Sequence, residues 1–216
     1  MPIRGAYAPG RPWVMLEHVG ERVLVRAKTR TAFGRAAQKL RTQDIIPAQL
    51  QGDRLPVKNL QIERKELAGP AQREGFTRRL LRLETEEESL LALPQKVERT
   101  MRYNVLQHVR FLRWPRDPEN NPIKVHLPLE IVNDQKMPIV KQGAYVHDIF
   151  NHHGLACWVS TPDFPITISV DMDLADKNGD VRWDQIKHTL PDGVEPVRGP
   201  QTQGNFLLMR PIRIRA

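Results

Sequence analysis

Alternation of hydrophobic and polar residues predicts strands through most of the N-terminal half of the chain. In "ERVLVRAK", Val23 and Val25 fall on one side and Leu24 and Arg26 on the other, which is the period of two typical of a strand. The segment 77–99, "TRRLLRLETEEESLLALPQKVER", alternates on both sides of the acidic "EEES" and predicts a hairpin that turns there. Three more strands are predicted at 45–52 "IIPAQLQG", 55–63 "LPVKNLQIE" and 105–114 "VLQHVRFLRW".

Two short helices are predicted between these strands. In 29–44, "TRTAFGRAAQKLRTQD", the alanines and the long basic side chains favour a helix that follows a bend at Gly34. Pro47 ends any helix and favours an extended backbone at the preceding residue, Ile46. The segment "RKELAG" predicts a second short helix that stops at Gly69 and Pro70.

A proline- and asparagine-rich segment, "PRDPENNP" at 115–122, predicts a linker between two domains. Beyond it, Gly, Pro and Asn clusters separate five short β-patterned segments: "VHLPLEIV", "GAYVHDIF", "LACWVST", "PITISVDMDL" and "FLLMRPIRIR". Because Pro211 has no N–H to donate, the last of these is predicted to be an edge strand or a strand broken there. The fold class expected is mainly β, with a small β-barrel carrying two or three short helices at 21–114 and an all-β sandwich or roll at 123–216.

Charge then indicates the kind of partner. The 216 residues carry a net charge of +8, which favours a polyanion such as nucleic acid. From Arg22 to Gln43 there are seven Lys or Arg residues and no acid. The predicted strand supplies Arg26, Lys28 and Arg30, and the predicted helix supplies Arg35, Lys39 and Arg41. Together they are expected to form one positive face suited to neutralising phosphates.

Other chemistry has little support in the sequence. The group His147, His152, His153 and Cys157 lacks the paired short spacing of zinc sites, so no metal site and no cofactor are expected. No catalytic motif is present, and we expect a protein that is not an enzyme. No apolar run reaches the ~18–20 residues of a membrane span.

Ordered motifs along the chain resemble one known family. "RTAFGRAAQKLRTQDIIPAQLQG" contains a Gly-Arg turn, a basic helix ending in Leu-Arg, Ile-Pro-Ala and a closing Gly52. A second match, Leu106-Gln107-His108 followed by Phe111, lies far along the chain, and "KQGAYV", "TPDFPITISVDMDL" and "HTLPDGVEPV" follow in order. The chain is therefore identified as similar to the large-subunit ribosomal proteins that bind 5S rRNA, number twenty-five in the bacterial series. Its long members are the CTC-type general stress proteins.

The resemblance implies a structural component of the large ribosomal subunit. Its partners would be rRNA, either 5S rRNA or an equivalent region of the large-subunit rRNA, and neighbouring ribosomal proteins. The candidate RNA-binding residues are Arg26, Lys28, Arg30, Arg35, Gln38, Lys39, Arg41, Arg99, Gln107, His108 and Arg110. For His108 taken alone, a hydrogen-bonded sheet histidine is the favoured interpretation, and only its Leu-Gln-His context makes it a candidate RNA contact.

Departures from the family pattern indicate where in the cell the protein works. Glu98 and Arg110 stand where the family usually has Gln and Asp, and the segment between Gly34 and Leu40 is one residue shorter. Residues 1–20 have no acid before Glu17, which fits either an organellar targeting segment or a basic irregular extension. These features predict a mitochondrial ribosome, with the bacterial cytoplasm as the alternative.

Two functions from other classes remain open. The first is a free-standing tRNA-binding module, because the family's barrel resembles the anticodon-binding domain of glutaminyl-tRNA synthetase. The second is an enzymatic or carbohydrate-binding β-sandwich in the C-terminal half.

Overall fold

The structure, a computed structural model, describes residues 22–150 and 153–213. These residues form two compact units. The first comprises residues 22–125 with 159–162, and the second comprises 126–150, 153–158 and 163–213. The expected extension at 1–20, His152, Ile214 and Arg215 lie outside the described residues, and the linker at 115–122 stays a prediction.

A closed six-stranded barrel makes up most of the first unit, as predicted. Its elements in chain order are β1 (Leu24–Thr29), α1 (Arg35–Leu40), β2 (Ile45–Gly52), β3 (Leu55–Glu63), α2 (Arg64–Gln72), β4 (Leu81–Glu84), β5 (Ser89–Arg99) and β6 (Leu106–Arg113). The strands are arranged β1-β3-β2-β6-β5-β4, and parallel pairing of β1 with β4 closes the barrel. The hairpin predicted around "EEES" is confirmed by the antiparallel pairing of β4 with β5.

Alternating side chains of these strands fill the barrel. On β1, Val25 and Ala27 are buried while Arg26 and Lys28 are exposed, so the predicted alternation is confirmed. On β6, Val109 and Phe111 are both fully buried. The residues between core positions therefore lie on the outside of the barrel, and they are the ones available to a partner.

Helix α2 is longer than predicted. It begins at Arg64 but continues through Pro70 to Gln72, so the predicted stop at Gly69–Pro70 is wrong. The reason is tertiary, because Leu67 and Ala71 both belong to the barrel core. Burial of Ala71 and a hydrogen bond from the Arg99 guanidinium to the Ala71 carbonyl extend the helix past the proline.

The second unit is also mainly β, but it contains short helices that the hydrophobic pattern did not predict. The elements from the end of the barrel onward are β7 (Ile123–Leu127), β8 (Leu129–Val132), α3 (Pro138–Lys141), β9 (Ala144–Asp148), β10 (Leu155–Val159), β11 (Ile168–Asp171), β12 (Val181–Arg182), α4 (Trp183–Ile186), β13 (Val194–Pro196) and β14 (Leu207–Arg213). They form sheets in the orders β13-β10-β7, β11-β8 and β12-β14-β9.

Strand β14 lies between β12 and β9, so the edge-strand prediction is wrong for Leu207 and Met209, with which β12 pairs. Beyond Met209 the pairing given for β14 is with β9 alone, in which Pro211 lies opposite Val146. The neighbouring Arg210 forms two hydrogen bonds of 3.0 and 2.8 Å with the carboxylate of the buried Asp180. This ion pair lowers the pKa of Asp180, so the Arg210 charge is used within the unit.

Candidate RNA interface

Strand registers place polar side chains next to one another on the outside of the barrel. His108 on β6 pairs with Glu98 on β5, and Arg110 pairs with Lys96. On the other side of β6, Arg110 lies opposite Gln49 of β2, which in turn lies opposite Asn59 of β3. Cross-strand neighbours on one face lie close enough to interact, so these residues form a continuous polar surface.

Three arginines on this surface lie close enough to His108 to act on its pKa, and we call Arg30, Arg41, His108 and Arg110 the basic cluster. Burial of the imidazole lowers the pKa of His108, Glu98 opposes that shift, and the nearby charges of Arg30, Arg110 and Arg41 lower it further. The same Glu98 carboxylate is influenced by Lys96, His108 and Arg41. His108 is therefore neutral at neutral pH within an otherwise positive cluster.

Some hydrogen-bond donors of the basic cluster find no acceptor in the described part of the chain. The Nε atoms of Arg30, Arg41 and Arg110 are buried and have no hydrogen-bond partner in the described part of the chain. Unpaired buried donors cost free energy, and an anion at the surface above them lowers that cost. Planar guanidinium groups gathered in this way match the oxygens of phosphates.

Arg41 is held in the cluster by Arg64, a residue that the sequence reasoning missed. The Arg64 side chain donates to the Arg41 carbonyl at 3.3 Å, to the Leu106 carbonyl at 3.4 Å and to Asp44 Oδ1 at 2.9 Å. Asp44 has a left-handed backbone with φ of 57°, and its carbonyl also accepts from the Arg64 amide at 2.8 Å. Arg64 thus joins the end of the α1 segment to the start of β6, the strand that carries His108 and Arg110.

Helix α1 extends the positive surface. Arg35, Gln38 and Lys39 are all exposed on it, and none of its residues is buried. The apolar residues after it anchor the segment, because Ile46, Pro47 and Ala48 are buried in the barrel. The segment therefore has its cations outside and its attachment to the core immediately downstream.

The other predicted residues are used differently. Arg26 lies 3.7 Å from Glu84, and both side chains are largely exposed. Arg99 donates to the carbonyls of Ala71 and Asn104, so it braces α2 and the turn between β5 and β6. Lys28 is exposed and Gln107 is half-buried. The structure thus brings four of the eleven candidates together and leaves these four outside the basic cluster.

Gly34 sets the entry into α1, with φ of 57° and ψ of −128°. Side chains other than glycine's are strained there, although a Cβ would meet no atom within 4 Å. Gly34→Ala is expected to destabilise the unit by about 1–3 kcal/mol, measured by chemical denaturation. Gly69→Ala is the matched control, because Gly69 lies within α2 without a left-handed backbone. It is expected to change stability less than Gly34→Ala does, since the helix favours alanine while the following Pro70 disfavours it. Equal effects of the two changes would show that the Gly34 backbone is not strained.

The lowered pKa of His108 predicts a pH dependence of stability. The unfolded chain binds the proton near pH ~6.5, whereas the folded chain binds it only at lower pH. Stability is therefore present above the unfolded pKa and is lost as the pH falls from there towards the folded pKa. His108→Gln is expected to flatten the dependence of the denaturation midpoint on pH between about pH 7 and pH 5. Parallel curves for wild type and His108→Gln would contradict the assignment.

Groups for other chemistry do not assemble. In the described ranges, no three His, Cys, Asp or Glu side chains lie together as a metal site requires. Burial raises the pKa of the Cys157 thiol to about 12, so it is not a nucleophile at neutral pH. No helix in the part of the chain that the structure describes is long and apolar enough to cross a membrane.

Comparison with curated proteins gives consistent matches along most of the chain. No family model matches it. The chain is 25% identical over 174 residues to the large ribosomal subunit protein bL25 of Rhizobium meliloti, covering 80% of this chain and 82% of that protein. It is 27% identical to bL25 of Chelativorans sp. (79% and 78% covered) and 26% identical to bL25 of Zymomonas mobilis (78% and 74% covered).

The chain is similar to bL25 proteins over most of its length. Because the match of 174 residues is longer than either compact unit, the bL25 similarity extends over both. The resemblance identified from ordered motifs in the sequence is therefore confirmed. The basic cluster is a feature of the barrel unit alone.

Proposed function

We propose that this chain is a structural constituent of a large ribosomal subunit and that it binds rRNA through the basic cluster and α1. The observation that carries the proposal is that three arginines with unpartnered Nε atoms lie close enough to a neutral histidine on the outside of the barrel to act on its pKa. The bL25 relatives support the ribosomal role, since they are named as proteins of the large subunit. Neighbouring ribosomal proteins are the further partners expected.

The geometry suits the backbone and shallow groove of an RNA duplex. Arg41 and Arg110 reach phosphates, while α1 lays Arg35 and Lys39 along the same backbone. The neutral His108 imidazole carries one donor and one acceptor nitrogen, which match a ribose 2′-hydroxyl. Glu98 beside it accepts hydrogen bonds and excludes a second phosphate from that position. The surface therefore favours RNA over a simple polyanion, and 5S rRNA or its equivalent is the RNA proposed.

Location is part of the proposal. The mitochondrial ribosome remains the prediction from the sequence, whereas the bacterial relatives fit the alternative, the bacterial cytoplasm. A tagged full-length chain expressed in its own cells distinguishes these, because a cytosolic signal in a eukaryotic cell would contradict the mitochondrial prediction.

Gradient sedimentation with RNA crosslinking tests the function. We expect the tagged chain to sediment with the large subunit, to remain there when the salt is raised, and to crosslink to rRNA through residues 26–41 and 107–110. Recovery in the tRNA fractions, with crosslinks to tRNA, would instead support the free-standing tRNA-binding module. Absence from both fractions would contradict both functions.

A further inference from the structure

An aromatic side chain is exposed within this basic surface. Phe33 lies in the loop between β1 and α1, and 60% of it is accessible. The α1 helix that follows it buries none of its own residues and leaves the ring uncovered. An apolar ring of this size normally lies in a core or contacts a partner.

The Phe33 loop is held in place by Arg30. Arg30 is only 8% accessible, and its guanidinium donates to the Ala32 carbonyl at 3.0 Å and to Asn59 Oδ1 at 3.1 Å. The same guanidinium lies 5.4 Å from the centre of the Phe33 ring. Asn59 is fixed in turn, because its Oδ1 also accepts from Gln49 at 3.4 Å and its carbonyl from the Arg30 amide at 2.9 Å.

These interactions give Arg30 a role different from that of the other cations. Two of its nitrogens are bonded to the protein and the residue is buried, whereas Arg41 and Arg110 are half-buried, so little of the Arg30 guanidinium is available to a phosphate. Its hydrogen bonds fix the backbone of the Phe33 loop, and its guanidinium covers one side of the ring. An exposed aromatic that is already oriented loses little conformational entropy when it binds.

The neighbouring charges indicate the kind of partner. Arg30 lies close enough to His108 to act on its pKa, and the other arginines of the basic cluster do the same. A partner that covers Phe33 therefore has to combine a flat apolar face with nearby negative charge. An unpaired nucleobase, with its phosphates on either side, has both properties.

We propose that Phe33 stacks on an unpaired nucleobase of the bound RNA, with Arg30 as the residue that positions the ring. The proposal rests on the RNA-binding function above and adds a preference for RNA in which a base lies outside the duplex stack.

Two short hairpin RNAs test it. One carries a single bulged adenine replaced by 2-aminopurine, and the other is the matched fully paired hairpin. The wild-type chain is expected to bind the bulged hairpin more tightly and to quench its fluorescence. Phe33→Ala should lose about 5- to 150-fold in affinity for the bulged hairpin only, with unchanged slope of affinity against salt. Phe33→Trp should retain the affinity.

The outcomes separate this inference from the proposed function. Failure of the wild-type chain to bind either hairpin at low salt would count against RNA binding itself. Equal binding of both hairpins, or a Phe33→Ala variant with wild-type preference, would overturn the stacking while leaving RNA binding intact. Phe33→Leu tests whether any apolar side chain suffices at this position. If this variant kept the full wild-type affinity for the bulged hairpin, the aromatic ring would not be needed.

Arg30 is tested through its coupling to Phe33. Arg30→Gln should lower affinity for the bulged hairpin without changing the salt slope, and it should add little to Phe33→Ala in the double variant. A slope shallower by about one, additive with Phe33→Ala, would instead make Arg30 a phosphate-binding residue, because glutamine removes the charge that neutralises the phosphate. If Arg30→Gln melts at a lower temperature, crosslinking from a photoreactive phenylalanine at position 33 to the bulged base supplies the test.

Discussion

A chain in which Arg41 and Arg110 are both replaced by Glu is expected to bind rRNA about two orders of magnitude more weakly than the wild-type chain. Both guanidinium groups lie near His108, and the Nε atom of each is buried without a partner in the described residues. Carboxylates at these positions would face the phosphates with like charge. The slope of log affinity against log salt should become shallower by about two, one for each phosphate that is no longer neutralised.

The matched control reverses two cations of the same unit, Arg116 and Lys124. Both are exposed, and the Arg116 charge acts on Glu88, which lies just before β5, whereas Glu98 lies near the far end of that strand. The control makes the same change in net charge, so it removes the general attraction without touching the basic cluster. Filter binding to a bacterial 5S rRNA transcript over a salt series measures both variants. Equal decreases in affinity for the two would mean that net charge alone, and no particular site, governs binding.

Truncating Phe111 is expected to cost the barrel about 3–5 kcal/mol. The ring is fully buried in the core cluster, and Phe111 lies between Leu50 of β2 and Pro94 of β5. Phe111→Ala leaves a cavity that neighbouring strands cannot close without distorting the barrel. Because Arg110 precedes Phe111 on the same strand, loosening β6 should also weaken RNA binding.

Hydrogen exchange of the barrel amides measures this destabilisation strand by strand. Leu55→Ala is the control, since Leu55 is 46% accessible on β3 and its truncation should change stability by less than about 0.5 kcal/mol. The placement of the ring at the centre of the core would be contradicted if the β2, β5 and β6 amides of Phe111→Ala were protected from exchange as well as those of the wild-type chain.

The alternation of hydrophobic and polar residues predicted the barrel strands well, because each strand has one face in the core and one face outside the barrel. The alternation of Val25 and Ala27 with Arg26 and Lys28 is visible in the sequence and reappears as burial and exposure in β1. The end of α2 was not predictable in this way. Pro70 is a strong local stop signal, yet the helix continues past it to Ala71, which is buried and whose carbonyl accepts a hydrogen bond from Arg99, 28 residues further along the chain.

The sequence by itself determined the resemblance to bL25 proteins, the mainly β fold and the acid-free basic segment, since these depend on composition, ordered motifs and short-range periodicity. Which cations share a site was decided by tertiary structure. Arg41 and Arg110 are 69 positions apart, and they meet because β2 and β6 pair in parallel and Arg64 joins the two regions. Arg30 has the same charge as Arg41 in the sequence, yet burial and two hydrogen bonds turn it from a surface cation into a support for Phe33. Charge is a property of the residue, whereas its availability to RNA depends on the neighbours that folding supplies.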